Sequence, residues 1–124
     1  MADQPIPLLI IARTRPIAIQ QGVDLAPHFA YTAILDLPHY SPSNIELLLS
    51  TLNPSPKGVV VGGGVSVELQ QEVEAVVERE NAKRAEGEKL KLVVIPVGIR
   101  ERVGAEGLMR WLKEALGEKF GVEW

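Results

Sequence analysis

Three consecutive glycines, Gly62-Gly63-Gly64, followed by Val65 and Ser66, are the residues of this chain best suited to hold an anion. Glycine lets the backbone approach a ligand closely and take left-handed conformations. Just before a helix, such amides and the positive helix end cradle a phosphate or carboxylate, and the Ser66 hydroxyl adds a donor. The alternative is a tight strand-to-helix turn with no ligand. A second polar group, Arg13-Thr14-Arg15, follows an apolar run. Paired guanidinium groups there suit bidentate recognition of phosphate or carboxylate. Alternatively, one arginine pairs with Asp36 and the other stays in solvent. Asp36, and His39 in a proline-stiffened loop beside Tyr40, are the candidates for acid–base work. Arg100 and Arg102 follow the last apolar run and would extend an anion site.

Several chemistries are disfavoured by what the motifs lack. Gly62-x-Gly64-x-x-Val67 carries two of the three dinucleotide glycines, but after the third apolar run rather than the first. Asp36 stands where a dinucleotide fold holds a ribose hydroxyl pair. The turn ending in Arg15 has no glycine, however, so the pyrophosphate grip is missing from its usual place. A mononucleotide or smaller anion fits better, and no particular cofactor is implied. No Gly-Lys-Ser or Gly-Lys-Thr occurs, which excludes a Walker-type loop. The chain has no cysteine and only two histidines, His28 and His39. Thiolate chemistry is therefore excluded, and no metal site is expected. Ser43 and Ser66 read as helix caps rather than nucleophiles, and no nucleophile-elbow sequence is present.

The elements that must position these residues follow from the apolar pattern. Residues 8–12 form a continuous apolar run, which suits a strand buried on both faces. A short helix over 16–25 follows, interrupted by Gly22 and ended by Pro27. Residues 31–35 read as the second strand, with Asp36 at its end. A helix begins at Ser43, which has capping-box spacing to Glu46; Ile45, Leu48, Leu49 and Leu52 supply its buried face. Residues 58–61 are the third strand. Ser66 caps a long helix to about Arg84, whose charged second half, 78–88, projects into solvent. Glu68, Glu72, Glu74, Glu78 and Glu80 read as a solvated face. Residues 90–97 are the fourth strand, placed at an edge because Pro96 removes a ladder donor. Leu108, Trp111, Leu112, Ala115 and Leu116 lie on one stripe of the last helix, with Gly117 as its stop.

The 124 residues fit one domain, with residues 118–124 as a tail; 46% are hydrophobic and 23% charged, ordinary globular values. Four strand–helix units with right-handed crossovers give a four-stranded parallel sheet, order 2-1-3-4, with helices on both faces. This arrangement resembles the Rossmann-like and flavodoxin-like three-layer sandwiches. A response-regulator receiver would need acidic residues where Arg13 and Gly62 stand, so phosphoacceptor chemistry is excluded. In an open parallel sheet the ligand crevice lies beyond the carboxyl ends of the strands, where strand order reverses. That point gathers Arg13, Thr14, Arg15, Gly62, Gly63, Gly64 and Ser66.

The leading expectation is a non-redox domain holding a nucleotide, phosphate or other anionic metabolite there. The second is a non-catalytic homo-oligomer, most simply a dimer, built on the apolar edge strands 31–37 and 90–97 or on a tail, 120–124, docking on a partner. An enzyme using Asp36 or His39 is the third. A net charge of -3 argues against nucleic acid, and the apolar run near the start is too short for a membrane span. The expected location is the cytoplasm.

Overall fold

The computed structural model describes residues 4–124. Four strands, β1 (Ile6–Ala12), β2 (Phe29–Asp36), β3 (Gly58–Val61) and β4 (Lys91–Val94), alternate with four helices. The helices are α1 (Arg15–Leu25), α2 (Pro42–Thr51), α3 (Val67–Asn81) and α4 (Ile99–Phe120). The sheet order is β2-β1-β3-β4 and every pairing is parallel. β1 is central, with Ala12 opposite Asp36 on one side and Ile11 opposite Val61 on the other.

Strand alternation divides the core into two layers of side chains. Leu8 and Ile10 of β1, with Val60 and Val93, pack against α1 and α4. Leu9 and Ile11, with Val59 and Val61, pack against α2 and α3. Both faces of β1 and β3 are sealed from water, which is why these strands read as unbroken apolar runs. The result is a three-layer α/β sandwich. Because all strands run the same way, their exit turns and all four helix amino ends lie at one rim.

Several local details differ from the sequence-based expectations. α1 runs through Gly22, beside the Tyr31 ring, and ends at Leu25 before Pro27. α2 is capped by Ser41, whose Oγ accepts from Asn44 N at 3.1 Å, so the Ser43–Glu46 capping box does not form. Pro42 takes the first helical position, where its missing N–H costs nothing, and this moves the cap to the residue before it. Glu46 instead pairs with Arg79 at 3.0 Å. α3 stops at Asn81 rather than Arg84. There the Asn81 side chain turns to the next strand, accepting from Leu90 N at 2.7 Å and donating to Leu90 O at 3.1 Å. Nor is the segment beyond it free in solvent throughout: Arg84 holds Glu80 at 3.2 Å and the Glu88 carbonyl at 3.3 Å.

β4 is an edge strand as expected, but it ends at Val94 and Pro96 lies outside it. α4 continues past Gly117 to Phe120 and is closed by Gly121, which adopts φ 68°. Gly117 instead makes room for the returning tail, because a β-carbon there would lie 2.9 Å from the Val122 carbonyl. The tail itself docks on its own chain rather than reaching outward. Trp124 Nε1 donates to Lys113 O at 2.8 Å, and its ring meets those of His28 and Phe29. No helix among the described residues is long and apolar enough to cross a membrane.

Candidate functional site

The glycine turn grows directly out of β3. Gly62 N donates to Ile11 O at 2.8 Å, and Val65 N closes the turn on Gly62 O at 3.2 Å. Neither Gly63 nor Gly64, its central residues, takes a positive φ, so left-handed backbone is not why glycine stands here. Close approach is. A β-carbon on Gly63 would sit 2.9 Å from the Pro96 carbonyl oxygen. One on Gly64 would sit 3.2 Å from Arg13 Cδ and 3.3 Å from Arg13 Cβ. The Arg13 stem therefore lies across Gly64, and the two polar groups separated by about fifty residues of sequence are in contact. Ser66 caps α3 through Leu69 N at 3.3 Å.

Thr14 precedes α1 with extended backbone and makes no side-chain cap, leaving its hydroxyl available. Arg13, Thr14, Arg15, Gly64 and Ser66 are all exposed. Neither guanidinium group has an ion-pair partner among the described residues. Arg100 and Arg102, in the first turn of α4, share this rim and likewise have no ion-pair partner among the described residues. Glu68 and Glu101, in the first turns of α3 and α4, are there too. Acidic residues at these positions complement the helix ends.

Asp36 does not pair with an arginine. Its Oδ1 lies 2.6 Å from His39 Nδ1, because a short 3-10 turn over Leu37–His39 carries the histidine back toward it. The Asp36 side chain is 14% exposed and that of His39 is 75% exposed. The His39 hydrogen bond, followed at longer range by the Arg15 charge, holds the Asp36 carboxyl below its ordinary range, against the opposing effect of partial burial. Tyr40 donates to Glu72 Oε1 at 3.0 Å, which engages one member of the acidic face of α3. Burial first, then that carboxylate, raises the Tyr40 phenol above its usual value. Among the described residues no group of three or more His, Asp or Glu side chains is placed to hold a metal ion.

Two clefts lie away from the glycine turn, one of them reaching the rim at Arg100. One of about 490 Å³ is at the opposite pole, beside Lys57, Lys91 and Phe120. Another, of about 230 Å³, opens between α1 and α4 and is lined by Ile17, Gln21, Arg100 and Met109 among others. The second escaped the reading of the sequence. Its one visible signal is α1 itself, which has no clean apolar stripe and buries Gln21. No protein-family model, curated protein or solved structure matched the chain.

Proposed function

We propose that this chain is a non-redox small-molecule-binding domain that holds a nucleotide, phosphate or other anionic metabolite at the carboxyl rim of its sheet. The observation that carries the reading is the contact of the Arg13 stem with Gly64, which brings a guanidinium group to the glycine turn. Arg13 and Arg15 supply charge and forked donors; the Gly63 and Gly64 amides, with Thr14 and Ser66, supply neutral ones. The reading is one of binding, and no reaction is assigned to the Asp36–His39 pair.

Thermal denaturation against a panel of nucleotides, phosphate and small carboxylates tests this. A ligand at a hundred times its Kd adds about 2.7 kcal/mol of stability. The expected result is a rise in Tm for at least one anion, weakened by salt. The double variant Arg13→Gln, Arg15→Gln should lose that rise while keeping its ligand-free Tm, because both side chains are exposed. An unchanged Tm across the whole panel would rule the reading out.

A second reading, assembly as a homodimer, is favoured by β2. This strand is unpaired on its outer side, and Ile19 and Val23 beside it are 51% and 64% exposed. With Ala30 and Ile34 they line an apolar groove along α1 and β2.

A further inference from the structure

α1 is built against its own pattern. It turns Ile19 and Val23 to solvent, leaves Ile17 39% exposed, and buries Gln21 at 9% exposure. Gln21 is the only buried polar side chain among the described residues. A helix that buries an amide while exposing isoleucine breaks the local rule of folding, and such breaks concentrate at functional sites.

The amide is also oriented. Tyr31 OH donates to Gln21 Oε1 at 3.1 Å, and burial raises the Tyr31 phenol so that it stays a donor. With its oxygen committed, the amide offers only N–H groups. Its nitrogen has no partner among the described residues, yet no fully buried side-chain nitrogen or oxygen is left unpaired there. The nitrogen is therefore not fully sealed from solvent, and Gln21 is among the residues lining the cleft.

That cleft is a small one, about 230 Å³. Apolar Ile17, Leu108 and Met109 form much of its wall, and Arg100 stands at its rim end. α4 kinks at Gly104, with φ 75° and ψ 176°, between Arg100 and the wall residues Leu108 and Met109. Both stretches of the helix thus line one space. Arg100 has no ion-pair partner among the described residues. At the far end Asp24 accepts from Gln20 Nε2 at 3.4 Å, so an anionic head belongs at the arginine end.

We infer that the cleft between α1 and α4 binds a small amphipathic carboxylate, with Arg100 and the Gln21 amide as donors to its head and Ile17, Leu108 and Met109 around its apolar body. The cleft meets the rim at Arg100, but none of the residues proposed to hold the anion at the glycine turn lines it, and it does not depend on the function proposed for them.

The test is a two-dimensional amide NMR titration of the full chain with hexanoate, with hexanol and with phosphate. Hexanoate should saturably shift the Gln21 side-chain amide and the backbone amides of Ala105 and Met109. Hexanol, with the same body and no charge, should bind about tenfold more weakly, as charge-assisted hydrogen bonds require. Arg100→Gln, an exposed substitution, should remove most of that difference. No saturable shift at Gln21 with millimolar hexanoate overturns the inference. So does unchanged hexanoate affinity in Arg100→Gln, or phosphate shifting Gln21 as strongly as hexanoate does. The Gly63 and Gly64 amides report on the rim in the same spectra, so the two sites can fail separately.

Discussion

Gly63 and Gly64 are adjacent, yet their missing β-carbons spare different things. At Gly63 the obstacle is the Pro96 carbonyl at 2.9 Å, fixed in the backbone. At Gly64 it is the Arg13 side chain, whose Cδ at 3.2 Å can rotate away, while Cβ at 3.3 Å need give only by a small shift. Gly63→Ala should therefore cost about 1–3 kcal/mol in urea denaturation, the usual penalty for forcing backbone apart. Gly64→Ala should stay within about 0.5 kcal/mol of the parent, as exposed substitutions do. It should, however, reduce anion-induced stabilisation by displacing Arg13. The opposite ranking in urea would mean that Arg13 is locked in place by packing. At this scale the glycines of the turn were legible in the sequence, but one reason offered for them, left-handed backbone, does not hold. The triple glycine was visible, but its cause is crowding by Pro96 and Arg13, which only the folded neighbours reveal. One alternative paired Asp36 with an arginine; a local turn presents His39 instead, and contacts three residues apart depend on backbone path rather than residue type.

Among the elements, helix ends were the least legible and the strands the most. The two serines before α2 make the point testable. Ser41→Ala should lower stability by about 1 kcal/mol through loss of the cap, whereas Ser43→Ala should change it little. Thermal melts of the two variants check this. A larger loss from Ser43→Ala would restore the cap to the position that the spacing to Glu46 suggests. Pro42 shifted the start of α2, and Asn81 fixed the end of α3 by binding Leu90, a contact formed only when β4 is in place. The stripe in α4 was plain from Leu108 onward, but its first turn lies beyond a kink and was not. α1 was read as a helix without its inward face being recognised, because that face carries Gln21, whose partner Tyr31 lies on β2 beneath the helix.

For the whole molecule, the parallel order of four strands was legible because each strand is a short apolar run followed by a helix. Right-handed crossovers leave few ways to arrange such units. What the pattern could not convey is how the outer side of β2 is managed. The register steps from Leu8 opposite Tyr31 to Leu9 opposite Ala33, leaving Thr32 as an extra residue whose Oγ1 donates to Leu8 O at 3.4 Å. Bulges of this kind disfavour further pairing at a sheet edge. Any dimer on this side should then rest on the apolar groove rather than on a continued ladder. If the second reading holds, light scattering should give twice the chain mass, and Val23→Lys should return it to one. A monomeric mass for the parent chain would eliminate that reading.

The returning tail has a practical corollary. Ile6 N donates to His28 O at 2.9 Å, and the His28 ring meets Trp124 at 4.9 Å between centroids. One histidine thus ties the beginning of the central strand to the last residue, at the pole away from the arginines. A dye, affinity handle or solid support attached after Trp124 would hang on that side, leaving the rim that carries Arg13 and the glycine turn facing solution.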